Sequence, residues 1–166
     1  MGEDVVKIRA LTVEDAEAVY PLMSDGENSR FITFIPHASL EYTKNYLGWH
    51  IANGYYYAIT LGDDDTAIGY VGVDKDDSDH VLGKIGYVIN KRYWGCGYTP
   101  KAIKTVTEDV LASTEIKQII ATIKPENIRS QRCIEKAGYV FVKRLEDYIS
   151  SAVEDKSRIR LLYHAK

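Results

Sequence analysis

The sequence predicts a mixed α/β fold, a mostly antiparallel sheet that includes one parallel pair of strands, and three observations lead there. The spacing of apolar residues changes from helical to extended at Asn53-Gly54, after which Tyr55 to Leu61, Ala67 to Asp74 and Val81 to Asn90 read as three strands. The acidic segments Gly62–Asp65 and Lys75–Asp79 between them are hairpin turns. A strand at Ile85 to Ile89, a helix with Ala102, Ile103, Val106, Val110 and Leu111 on one side, and a β-branched strand at Gln118 to Ile123 then follow one another. That order requires a crossover and hence a parallel pair. Residues 1–166 contain no linker or low-complexity stretch and read as one domain.

Ahead of the sheet, Lys7 to Ala10 is a short strand. Thr12-x-x-Asp15 resembles a capping box with Asp in the usual Glu position, and Ala16, Val19, Tyr20 and Met23 recur at helical spacing. Pro21 predicts a kink or an early end. Asp25 to Ser29 is turn chemistry, Arg30 to Ile35 is apolar and aromatic, and Pro36-His37 ends that run. Ser39 caps a second helix with Leu40, Thr43, Tyr46, Leu47 and His50 or Ile51 on one side. Beyond Ile123, Lys124-Pro-Glu-Asn127 is a strand-to-helix turn with Asn127 as cap. The helix Ile128 to Ala137 stops at Gly138, and Val140 to Leu145 and Ser157 to His164 close the chain as strands.

Composition excludes several classes of function. A net charge of −3 gives no general pull toward nucleic acid. No apolar run approaches the ~20 residues that span a bilayer, and the acidic start Met1-Gly-Glu-Asp4 is unlike a signal peptide, so a cytoplasmic protein is expected. Cys96 and Cys133 lack metal-like spacing, and His37, His50, His80 and His164 lie in different elements, so no metal site is expected. The acidic loop Asp74 to Asp79 has Asp79 where a calcium loop needs glycine, and it reads as a solvated hairpin.

The chemistry centres on Arg92-x-x-Gly95-x-Gly97, between the strand at 85–89 and a helix opened by Thr99-Pro100. Glycines allow a tight turn and close approach to the backbone, while a helix start presents free N–H groups and a positive dipole end to an anion. Arg92 adds planar donors suited to phosphate. A Walker loop would need lysine after the second glycine, and a dinucleotide fingerprint would need a third glycine where Pro100 stands.

Together with the later Asn127-x-x-Ser130-x-x-x-x-Glu135-Lys136-x-Gly138-Tyr139, this turn resembles the GNAT superfamily of N-acetyltransferases. The phrases Tyr93-Trp-Gly-x-Gly-Tyr98 and Ile8 to Asp15 are similar to the branch containing RimJ and RimL, which acetylate protein N-termini. The resemblance implies an acyl-CoA N-acyltransferase fold, a twisted sheet with helices on both faces whose parallel strands splay apart. It implies acetyl-CoA as cofactor, its pyrophosphate on the amides of Gly95, Cys96, Gly97, Tyr98 and Thr99 beside Arg92. The pantetheine arm would lie along Val88, Ile89 and Asn90, with Asn127 contributing a side-chain contact. An amide near Val88 or Ile89 would polarise the thioester carbonyl.

In many relatives a tyrosine protonates the leaving thiolate from a position that is Ile134 here; in the branch it resembles, serine stands at the place of Ser130. Lys84 occupies a position where relatives often carry Glu, which leaves Asp74, Glu126, Glu146 and Asp147 as candidate bases. The expected acceptor is a primary amine on a peptide N-terminus or small molecule, and the lack of a clear base favours an N-terminal or otherwise low-pKa amine. The expected protein is a monomer or homodimer, without nucleic-acid or membrane partners; the rival readings are a small-molecule acetyltransferase acting on an aminoglycoside, polyamine or amino acid, and a CoA-binding module that has lost catalysis. Acceptor contacts are expected from Arg30, Phe31, Phe34, the second helix and the loop 146–156.

Overall fold

The computed structural model describes residues 5–29, 36–149 and 157–165. Strand β1 is Val6–Ala10, and the capping box forms after it: the Thr12 N–H donates to Asp15 Oδ2 at 2.8 Å. Arg9 clamps the same carboxylate through two contacts of 2.8 and 2.7 Å. Helix α1 is Ala16–Met23 and ends two residues after Pro21, as the proline predicts, and the short α2 is Gly26–Ser29. The apolar run expected at 30–35 lies outside the described residues. In α3, Leu40–Asn53, the Ser39 side chain accepts from the Tyr42 N–H at 3.1 Å, a cap worth ~1 kcal/mol.

Strands β2 (Gly54–Leu61), β3 (Asp64–Lys75) and β4 (Leu82–Ile89) form an antiparallel meander. The first turn is tighter than the sequence suggests, because β3 already begins at Asp64 and Gly62, at φ 58°, makes the reversal. Helix α4 is Tyr98–Ser113, β5 is Gln118–Ile123, α5 is Ile128–Lys136, β6 is Val140–Leu145 and β7 is Arg160–His164. Among the described residues seven strands lie in the order β1-β2-β3-β4-β5-β7-β6, with β4 and β5 a parallel pair.

Two cores cover the two faces. Val71, Val73 and Ile85 pack with Ala102, Ile103 and Val106 of α4 and Ile134 of α5. Tyr70, Ala58 and Val88 point the other way, against Ala16, Val19 and Met23 of α1 and Leu47 of α3. From Tyr70 to Val73 of β3 and from Ile85 to Val88 of β4, the alternation sends even-numbered residues toward α1 and α3 and odd-numbered ones toward α4 and α5; nearer the start of β3 the phase is reversed, with Ala67 on the α1 side and Ile68 on the α4 side.

Candidate active site

The defining feature of the site is where pairing stops. Strands β4 and β5 are in register only at Leu82↔Gln118, Gly83↔Ile119 and Lys84↔Ile120. Beyond Lys84, β4 stays paired with β3 as far as Gly69↔Ile89, while β5 pairs with β7 from Ile120 to Ile123. Each strand is held on its far side, so the two diverge. The edge of β4 from Ile85 to Ile89 therefore has no strand of β5 upon it, and Val88 and Ile89 lie on that edge. Backbone donors and acceptors left this way need another partner, and an extended ligand chain with amides of its own supplies one.

The open edge leads into the glycine turn. Asn90 Oδ1 accepts from the Arg92 N–H at 3.1 Å and starts one helical turn, Lys91–Tyr93. Gly95 and Gly97 then take φ 79° and 80°, in the left-handed region, and a Cβ built on either would meet nothing within 4 Å. The glycines thus serve both backbone conformation and open space above the turn. Gly97, rather than Thr99, caps α4. Thr99 falls in the first turn and Pro100 in its third position, where a missing N–H still costs nothing. The Cys96 N–H is turned back to the Tyr93 carbonyl at 3.4 Å, and its thiol is exposed. Arg92 is exposed and lies over the Tyr93 ring at 5.3 Å. Across the opening, the Arg129 guanidinium of α5 stacks on Trp94 at 3.3 Å, so a second arginine stands at the turn. Nothing in its spacing distinguishes Arg129 from an ordinary exposed helical residue.

Asn127 caps α5 by accepting from the Ser130 N–H at 3.1 Å. Ser130 Oγ lies 2.6 Å from the hydroxyl of Tyr87, which is β4's third residue beyond the last β4–β5 pair. Burial pushes the Tyr87 phenol well above the usual tyrosine range, with the nearby Cys133 thiol adding to the rise. Ile134 is wholly buried among α4 and the sheet, so it belongs to the core.

On the opposite face of β3 and β4 is a second group. Tyr56 donates to both oxygens of Asp74 at 2.8 and 2.9 Å, and His50 Nδ1 lies 2.9 Å from the Tyr56 hydroxyl and 3.3 Å from Asp74 Oδ1. Burial pushes the Tyr56 phenol far up, with the Asp74 charge second, so it stays a donor. Glycines make the arrangement possible. The Tyr56 ring lies over Gly72, where a Cβ would come within 2.2 Å of it, and Gly54 leaves room for Asp74. Gly86, cross-strand from Gly72, has nothing within 4 Å of a built Cβ and forms an open floor beside them. Tyr46 and Trp49 surround the His50 ring at 4.3 and 4.9 Å.

Asp74 is the register partner of Lys84, so a carboxylate does stand at this level of the sheet, one strand over from the expected place. Of the other candidate carboxylates, Glu126 and Asp147 are exposed and Glu146 pairs with Arg144 at 2.9 Å. Asp76 and Asp79 of the acidic loop accept from Ser78 and Val81, as a solvated turn does. Among the described residues no cluster has the makings of a metal site, and no helix is long and apolar enough to cross a membrane.

Comparison with known proteins agrees with this geometry. The Acetyltransferase (GNAT) domain model matches residues 6–140. YnaD of Bacillus subtilis (strain 168), an uncharacterized N-acetyltransferase, is 31% identical over 134 residues, 79% of this chain and 76% of that protein. A GNAT-family acetyltransferase from Bacillus anthracis superposes with a TM-score of 0.81 at 22% identity, covering 99% of this chain and 95% of the other. AAC(6')-Ib in complex with ribostamycin and coenzyme A gives 0.79 at 19%, covering 98% and 94%. Ribosomal-protein-S5-alanine acetyltransferase from Vibrio fischeri gives 0.79 at 17%, covering 99% and 94%. Matched by the family pattern from residue 6 to residue 140, the chain belongs to the GNAT acetyltransferases and is an acetyl-CoA-dependent enzyme of that family.

Proposed function

We propose that the enzyme acetylates a primary amine of a small cationic molecule, with acetyl-CoA held along the open edge of β4. The observation that carries the acceptor assignment is Asp74, a carboxylate 42% exposed, fixed by Tyr56 and His50 within a wall of aromatic rings. A carboxylate among aromatic faces attracts an ammonium group by charge and by the ring quadrupole.

Gly97, Tyr98 and Thr99 at the start of α4, with Arg92 and Arg129, are the groups that fit a diphosphate. The backbone at Val88, Ile89 and Asn90 fits the amide-bearing arm, and Asn127 orients the start of α5. When bound, acetyl-CoA supplies a thioester carbon open to attack by a neutral amine. The protein's part is to deliver that amine deprotonated and close. Gly86 leaves space for the acceptor to approach β4 from the α3 face. Asp74 draws in the cationic form. With His50 Nδ1 engaged by Asp74 and Tyr56, the Nε2 lone pair is available to take the amine proton. An amine near pKa 10.4 needs that help, whereas an α-amine near 7.7–8.0 needs less.

A peptide N-terminus is the second reading, supported by the sequence resemblance to the RimJ and RimL branch. Thiol release from acetyl-CoA, measured against polyamines, aminoglycosides, amino acids and short peptides, separates the two. A preference of at least about tenfold in kcat/KM for small polycations is expected. A preference for peptides would overturn the assignment, and tight CoA binding without turnover on any amine would indicate a binding module.

A further inference from the structure

The family position for an acid on α5 is filled by Ile134, sealed in the core, yet a tyrosine hydroxyl still reaches Ser130 from the neighbouring strand. Tyr87 and Ser130 meet beyond the point where β4 and β5 part, on the α5 face of the opening. Their 2.6 Å contact is short, and the Ser130 carbonyl lies 3.3 Å from the same phenol. The groups around Tyr87 are the Cys133 thiol and the phenols of Tyr139 and Tyr163, all pushed above their usual range by burial. Tyr139 is bonded to Thr107, Tyr163 to Glu135, and Lys136 acts on Cys133 from the helix surface. The pair thus sits among neutral groups, with charge only at the periphery.

We propose that Tyr87 is a positioning residue for Ser130, donating its O–H to Ser130 Oγ so that the serine O–H faces the opening and hydrogen-bonds the departing sulfur. This rests on the cofactor lying along β4, as proposed above. In the reaction the new N–C bond forms as the C–S bond breaks, and the sulfur keeps the electron pair. The amine proton leaves toward His50 and Asp74, on the other face. The two hydroxyls keep their protons, because a buried phenol with no cation beside it is a poorer acid than the thiol it would serve. The thiolate leaves hydrogen-bonded and takes its proton from solvent.

Calorimetric titration of CoA at pH 7 to 10 without amine, with desulfo-CoA as control, tests this apart from turnover. The affinity for CoA should rise about three- to tenfold as its thiol ionises, while that for desulfo-CoA stays flat. Ser130→Ala and Tyr87→Phe should both flatten the rise, and Ser130→Thr, which keeps the hydroxyl, should restore it. In turnover, Tyr87→Phe should lower kcat about tenfold with both KM values within about twofold, and the parent enzyme should show no alkaline fall in kcat up to about pH 10. An alkaline limb removed by Tyr87→Phe would make the pair a true acid and overturn the proposal. So would a folded Tyr87→Phe protein with unchanged kcat and an unchanged rise. Failure of CoA and desulfo-CoA alike to bind would overturn the cofactor placement, and this inference with it; flat CoA binding beside measurable desulfo-CoA binding would overturn only the inference.

Discussion

The two faces of β4 carry different chemistry. Toward α5, the groups at the opening are hydroxyls and a thiol, half-buried and neutral: Tyr87, Ser130 and Cys133. Toward α3, the groups are Asp74 and His50, a carboxylate and an imidazole in contact and partly open to solvent. On the proposed roles, one strand separates a side that takes the amine proton from a side that orients hydrogen bonds. For transfer of an acyl group this division is economical. Proton removal is needed where the amine enters, and a stable dipole is enough where the sulfur leaves.

The sharpest way to break the comparison is Asp74→Asn. It keeps the shape of the side chain, removes its charge and weakens its hold on His50. The expected loss is about 10²–10³-fold in kcat/KM for the amine, with CoA affinity unchanged by calorimetry. An equal loss in CoA affinity would show that the two faces are not separate. Gly97→Val should act on the cofactor alone, lowering CoA affinity by about tenfold or more. Because Gly97 sits at φ 80°, it should also cost about 1–3 kcal/mol in stability from strain. Gly97→Asn tolerates that conformation better and isolates the effect of the added side chain. Gly86→Ala probes the acceptor floor. It should raise the amine KM by about fivefold, leave CoA binding unchanged, and stabilise the strand by ~0.5 kcal/mol in denaturant titration. An unchanged KM would remove Gly86 from the acceptor path.

Much of this architecture is legible in the chain, and the limits follow from what sequence spacing records. The hairpins, the crossover and the Gly95/Gly97 turn arise from neighbouring residues, so their signals are local. The start of α4 is displaced by two positions because a left-handed glycine ends the turn without a side-chain cap, which the Thr-Pro signal conceals. The site partners are another matter. Tyr56 meets Asp74 across 18 residues and Tyr87 meets Ser130 across 43, and both pairs depend on strand register and splay. The search for a base stops at four carboxylates for the same reason; only strand register shows that Asp74 stands opposite Lys84, on the face proposed for the acceptor. Phe31 and Phe34 of the expected acceptor wall, with Arg30, fall outside the described residues, as does most of the loop 146–156.

Tyrosine is what the two faces share, and it gives the smallest and most general test of the comparison. Burial holds Tyr46 on the α3 face and Tyr139 on the α5 face each up to about 12, the Asp74 charge adding at the first. Unfolded tyrosine titrates near 10. Between those values the unfolded chain has released the proton and the folded chain retains it, so stability is fully present below about pH 10 and falls as pH rises toward 12. Each such tyrosine should remove roughly 1 kcal/mol by pH 11, read from denaturant midpoints between pH 8 and 11. Tyr46→Phe and Tyr139→Phe should each reduce the slope by a similar amount, since burial and not the chemistry of the face sets both shifts. A slope reduced by Tyr46→Phe alone would mean that the Asp74 charge, rather than burial, governs the α3 face, and the contrast between the two sides would then extend to stability as well as to catalysis.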